Sequence, residues 1–204
     1  MHLDEINVRF VNINNHSEKV NLLCRIFLLM TMPIKLLLLF TLKTMILFDF
    51  NGETDLNNWR VIDDGVMGGL SQGKFYINED GHGLFMGNVS LENNGGFSSV
   101  RYAFNSLDVS EYSKIEIRLK GDGKAYQFRV KATADQRYSY ISNIATTGEW
   151  EIIHISFSDM YAAFRGRLLD IPNYSGKEMT EIAFLIGNKK EEVFALEIDY
   201  IKLQ

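Results

Sequence analysis

Alternation of apolar and polar side chains is the feature that most limits how this chain folds. Ile115, Ile117 and Leu119 alternate with Glu116, Arg118 and Lys120, and Tyr126, Phe128 and Val130 alternate with Gln127, Arg129 and Lys131. A period of two places each apolar set on one face of a half-buried strand. The rhythm returns at Ile153, Ile155 and Phe157, at Ile182, Phe184 and Ile186, and at Phe194, Leu196, Ile198 and Tyr200. Weaker strands are expected over residues 47–50, 59–62, 74–78, 84–90, 98–104 and 138–144. Turn pairs such as Asp64-Gly65, Asp80-Gly81 and Asn94-Gly95, and the Gly121-Asp122-Gly123 run, separate them. Ten or more short antiparallel strands with glycine at the corners mean an all-β sandwich or barrel. Residues 158–164 are the one place for a turn or two of helix, and no βαβ rhythm suggests a Rossmann-type sheet.

Composition divides the chain near residue 45. Residues 1–44 carry five Lys/Arg and three Asp/Glu, whereas residues 45–204 carry 16 and 23 and hold every glycine. The reading is an N-terminal extension over 1–44 and a β-sandwich domain over 45–204. Residues 22–48 are apolar but interrupted by Arg25, Pro33, Lys35 and Lys43, and a central lysine offsets most of what the leucines gain on membrane insertion. Three expectations stand for this segment: a later start at Met30, Met32 or Met45, a signal or anchor, or a folded extension. A cytoplasmic address is favoured, with export or tethering if the segment functions, and any membrane contact runs through residues 22–48. The net charge of −5 argues against nucleic acid. A single cysteine, Cys24, excludes an internal disulfide framework and any zinc site built on several cysteines.

The familiar catalytic motifs fail on context. Gly68-x₄-Gly73-Lys74 resembles a phosphate-binding loop, but Phe75 stands where Ser or Thr must hold magnesium and a strand follows instead of a helix. Ser71-x-x-Lys74 has serine–lysine spacing without the helical turn that would pair them. His82 and His154 have no spaced histidine or cysteine companion, so no metal or cofactor is expected. A calcium site from turn carboxylates is conceivable in such a sandwich, without a ligand set. Two stretches differ from ordinary strand and turn: residues 59–71, with Asp63, Asp64, Met67 and three glycines, and residues 90–101, with Glu92, Asn93, Asn94 and Arg101. Their glycines allow close backbone approach. Either the loops hydrogen-bond each other and close one end of the sandwich, or they form a ligand or partner site.

The runs Val61-Ile62-Asp63-Asp64-Gly65-Val66-Met67-Gly68-Gly69-Leu70-Ser71 and Ser90-Leu91-Glu92-Asn93-Asn94-Gly95-Gly96-Phe97 resemble the complex I intermediate-associated protein 30 family. Gly121-Asp122-Gly123-Lys124, Trp150, Phe164-Arg165-Gly166-Arg167 and the run from Phe194 to Ile201 extend the resemblance over about residues 46–203. Lys189-Lys190-Glu191-Glu192 departs from it where a Gly-Pro-Phe turn is expected. The resemblance implies a galactose-binding-like jelly-roll sandwich and a chaperone-like assembly role without catalysis. The leading expectation is therefore a non-enzymatic protein that binds a polypeptide, such as a respiratory-complex subunit or assembly intermediate. Its contact residues would be Asp63, Asp64, Met67, Glu92, Asn93, Asn94 and Arg101. The alternative is a carbohydrate-binding module, with Gln127, Arg129, Tyr138 and Tyr140 gathered on a concave sheet face to hold a glycan.

Overall fold

The computed structural model describes residues 43–204. The expected N-terminal extension, with most of its apolar stretch and Cys24, falls outside the described residues. Among those described, no helix is long and apolar enough to cross a membrane.

Thirteen strands follow in order: β1 (Met45–Asp49), β2 (Trp59–Asp63), β3 (Gln72–Ile77), β4 (Gly83–Val89), β5 (Ser98–Asp108), β6 (Lys114–Lys120), β7 (Ala125–Lys131), β8 (Ser139–Ala145), β9 (Trp150–Ser156), β10 (Tyr161–Phe164), β11 (Arg167–Leu168), β12 (Glu178–Ile186) and β13 (Glu192–Leu203). They form two antiparallel sheets. One runs β3-β4-β13-β6-β9, with β1 also paired to β13; the other runs β11-β10-β8-β7-β12-β5-β2. The long β13 accommodates β4 along residues 192–198 and β1 along residues 200–203, so the two shorter strands share one of its edges.

The alternating sets meet between the sheets. Ile115, Ile117, Leu119, Phe85, Phe194 and Leu196 come from the first, and Val100, Tyr126, Phe128, Ile182 and Phe184 from the second; all are buried. Phe128 and Phe184 cross edge to face at 5.2 Å, an arrangement that adds to the area they bury. At one flank Phe48 and Phe50 pack on Trp59, which stacks on Tyr102 at 5.0 Å. In this way β1 is fastened to the second sheet through its aromatic rings while hydrogen-bonding to the first.

The helix expected over 158–164 is replaced by a 3-10 turn at Phe157–Asp159 and then by β10. Its Tyr161, Ala162 and Ala163 pair with Ile141, Tyr140 and Ser139 of β8. A free sheet edge supplies backbone partners that a one-turn helix could not, and context overrides local preference. The β10–β11 hairpin turns through Arg165 and Gly166, both left-handed, as a tight two-residue hairpin requires. The segment between β12 and β13, where the sequence departs from its family pattern, turns with Lys189 left-handed and is tied by the Asn188 amide to Ala125 O at 3.0 Å.

Candidate functional site

The two glycine-rich loops converge on one carboxylate. Asp64 opens the 3-10 turn that follows β2 and is fully buried. Its Oδ1 accepts from Ser71 N at 3.0 Å. Its Oδ2 accepts from Ser71 Oγ at 2.5 Å, from Gly96 N at 2.6 Å and from Phe97 N at 3.2 Å. Burial pushes this carboxyl up, but the hydrogen bonds from Ser71, Gly96 and Phe97 outweigh it and hold the group below its ordinary 3.8. Ser71 Oγ in turn accepts from Ser90 N at 3.0 Å, adding a second link between the loops.

The glycines are there for that carboxylate. A β-carbon on Gly69 would stand 2.3 Å from Asp64 Cγ, and one on Gly95 would stand 2.6 Å from Asp64 Oδ2. Asp63 does similar work one residue earlier, accepting from Gly73 N at 3.0 Å and from Ser98 Oγ at 2.5 Å. The mutual hydrogen bonding offered as one reading of these loops is seen. Ser71 is thereby committed to Asp64, and Lys74 lies exposed on β3, which leaves neither phosphate-loop nor serine–lysine geometry.

The expected contact residues therefore part company. Asp64 is interior and has no surface to present. Glu92, Asn93 and Asn94 are exposed at the tip of the second loop, and Asn93 and Asn94 are left-handed at φ 54° and 59°, a region that Asn tolerates better than most residues. Met67 lies in the 3-10 turn, and its side chain is outside the described residues. Arg101 belongs to neither loop: it sits within β5, opposite Arg60 of β2 and Ala183 of β12. Sequence reasoning missed the apolar members of the tip. Leu70 and Leu91, 48% and 42% exposed, flank the Ser71–Ser90 hydrogen bond, and Val193 lines a surface hollow with Ser90 and Glu92. Their signal was their position, an apolar residue next to each bonded serine.

The four residues expected to hold a glycan are split by sheet register. Arg129 pairs with Ile141 and Gln127 with Asn143, while Tyr140 pairs with Val130. Gln127 and Arg129 thus face outward, whereas Tyr140 faces the core and packs against Tyr174 at 5.0 Å. Tyr138 sets its ring edge-on to Tyr140, their hydroxyls 3.5 Å apart, and burial with this neighbour raises the Tyr140 hydroxyl to about 12. On the outward face the aromatic neighbour is instead Tyr161, and an open groove of about 530 Å³ runs past Gln127, Arg129, Ile141 and Tyr161.

Elsewhere, ligand atoms of Asp80, His82 and Glu197 lie within 4.8 Å of one another, a grouping that residues 115 apart in sequence could not announce. Glu197 is already engaged by the Asn78 amide at 2.9 Å and by Lys120 at 3.5 Å, so this carboxylate is balanced by the chain's own groups. The Gly121-Asp122-Gly123 run is internal too. Asp122 accepts from Lys124, from Tyr126 and from Ala195 N, tying the β6–β7 turn to β13.

Two packed antiparallel sheets, with outward loops braced by a buried carboxylate, define a jelly-roll β-sandwich of the galactose-binding-like class. The chain belongs to the complex I intermediate-associated protein 30 family, whose description matches residues 48–198. It is 26% identical over 190 residues to the mitochondrial complex I intermediate-associated protein 30 of Drosophila melanogaster, covering 79% of this chain and 63% of that one. The mouse protein of the same name is 26% identical over 180 residues, covering 76% and 55%. The chain thus spans about three-fifths of the length of these relatives. Among solved structures it is similar to the family 11 carbohydrate-binding module of a cellulosomal cellulase of Clostridium thermocellum, with TM-score 0.57 and 20% identity over 79% of this chain and 94% of that one. The same module in complex with a mixed-linked tetrasaccharide gives TM-score 0.55 at 21% identity, over 78% of this chain and 94% of that one. These last likenesses are of fold.

Proposed function

We propose that the chain is a non-catalytic binding protein that docks a partner polypeptide at the tip of its glycine-rich loops, in the manner of an assembly factor. Kinship supports the class, since the relatives carry the name of a protein associated with complex I intermediates. The observation that carries the reading is the inward commitment of Asp64. It accepts four hydrogen bonds from the loops, and what remains outside is a braced tip of Leu70, Leu91, Glu92, Asn93 and Asn94. Apolar anchors inside a polar rim, held on a rigid scaffold, suit a protein contact.

The test is quantitative capture of partners from the source cell by the tagged full chain, compared with the Leu70→Asp/Leu91→Asp variant. Both side chains are exposed, so the fold is retained and circular dichroism checks it. Recovery of the specific partner falls about tenfold or more, as expected for losing apolar anchors at a contact. Equal recovery by the folded variant removes the tip from the account.

A glycan is the second reading, favoured by the outward groove beside Gln127, Arg129 and Tyr161. Binding on a glycan array that is lost in Arg129→Ala would support it.

A further inference from the structure

Sheet register places three arginines in one line. Arg60 of β2 pairs with Arg101 of β5, Arg101 with Ala183 of β12, Ala183 with Arg129 of β7, Arg129 with Ile141 of β8, and Ile141 with Tyr161 of β10. Directly paired residues share a face, so all six project from the outside of the second sheet. At about 4.8 Å between strands, the arginines span roughly 14 Å across it. Ala183 and Ile141 are each 3% exposed although they face away from the core. On an outer face, long flanking side chains supply that cover, with the guanidinium groups at the rim.

The line is positive and short of counter-charge. The hollows on either side of Ala183, about 350 Å³ and 530 Å³, include one carboxylate in their walls, Glu181. Glu181 is shared between Lys131 at 3.3 Å and Arg101 at 3.9 Å. Among the described residues, Arg60 and Arg129 pair with no carboxylate. Burial, and then the charge of Arg101, draw the Arg129 guanidinium down to about 10, so it stays charged at neutral pH in surroundings that disfavour charge. A half-buried cation of this kind gains most from an external anion.

The amides beside it are already used. Gln127 Oε1 accepts from Arg129 at 2.5 Å and 3.1 Å, the Gln127 amide donates to Asn143 at 3.2 Å, and the Asn143 amide donates to Tyr161 at 3.1 Å. Gln127, Asn143 and Tyr161 thus spend hydrogen bonds on one another and on Arg129, and the guanidinium groups are the principal donors this face presents. The rest of the larger hollow is lined mainly by apolar side chains, Ile141, Ala163 and Leu168, the last 72% exposed. Guanidinium groups over an apolar floor complement a chain that alternates carboxylates with apolar side chains.

We propose that the outer face of the second sheet receives an acidic, apolar-punctuated segment of the partner polypeptide, with its carboxylates on Arg60, Arg101 and Arg129. The inference rests on the partner-polypeptide reading and names the chemistry of that partner. It does not depend on the loop tip, although the line lies only three residues along β2 and β5 from Asp63 and Ser98, roughly 10 Å.

The test uses the full chain and a fluorescent synthetic peptide of alternating Glu and Leu, titrated beside a twin with Gln for every Glu and beside polygalacturonate oligomers. The Glu peptide binds, more weakly as salt rises. The Gln twin, and the variants Arg129→Gln and Arg60→Glu, each bind about tenfold more weakly or worse. Arg60 is exposed, so its variant reports on charge without touching the interior, and His154→Ala, on the outside of the other sheet, changes nothing. Equal binding of the Gln twin, indifference to Arg60→Glu, or no peptide binding overturns the inference. Arginine-dependent binding of polygalacturonate in place of peptide also overturns it and assigns the face to an acidic glycan. In each such case the partner-polypeptide reading is judged separately, by the Leu70→Asp/Leu91→Asp capture.

Discussion

Asp64 accepts from donors on two loops, one seven residues away and the other more than thirty. Asp64→Asn keeps the size but turns an amide N–H toward donors that need an acceptor, which costs about 3 kcal/mol and lowers the denaturant midpoint. Gly69→Ala destabilises by a similar route, because its methyl group meets the same carboxylate. The acid response has a definite sign. Asp64 and Asp122 both titrate below the ordinary 3.8, so their contribution is complete above that value and is lost as pH falls through the lower, folded-state values. Thermal midpoints measured across pH are therefore flat near neutrality and drop below about pH 4. Asp64→Asn starts lower and drops less steeply. The sequence marked these glycines as sites of close approach. It could not say that the approaching group was the chain's own aspartate, because the contacts close between strands far apart in order.

At the scale of elements, alternation located most of the strands, since a half-buried strand writes its burial directly into every second residue. It failed at β10, where both central alanines are buried and no alternation exists to be read. Register was the larger gap. Which face Tyr138 and Tyr140 share with Gln127 and Arg129 depends on how β7 and β8 are joined, and a one-residue difference exchanges the faces. The arginine line was hidden for the same reason, since β2, β5, β12 and β7 are neighbours in the sheet and not in the chain. The loop tip gives a prediction at this level. Asn93→Val puts a β-branched residue into left-handed backbone and costs about 1–2 kcal/mol, whereas Asn93→Gly is close to neutral, both read from denaturant midpoints.

Over the whole molecule, an acidic chain with a net charge of −5 carries an arginine line on one outer face and a braced apolar tip at the adjoining end. Membership of the complex I intermediate-associated protein 30 family gives this sandwich its relatives, and the proposed docking of a polypeptide draws on both surfaces. The most direct measurement places a photoreactive amino acid at position 93 or at position 154 of the full chain in its own cell, and identifies the adducts by mass spectrometry. Position 93 marks the tip, and 154 is exposed on the outside of the other sheet. The account predicts one dominant polypeptide adduct from 93 that is absent from 154. The same adducts from both positions, or adducts from 93 consisting of glycan, would contradict it.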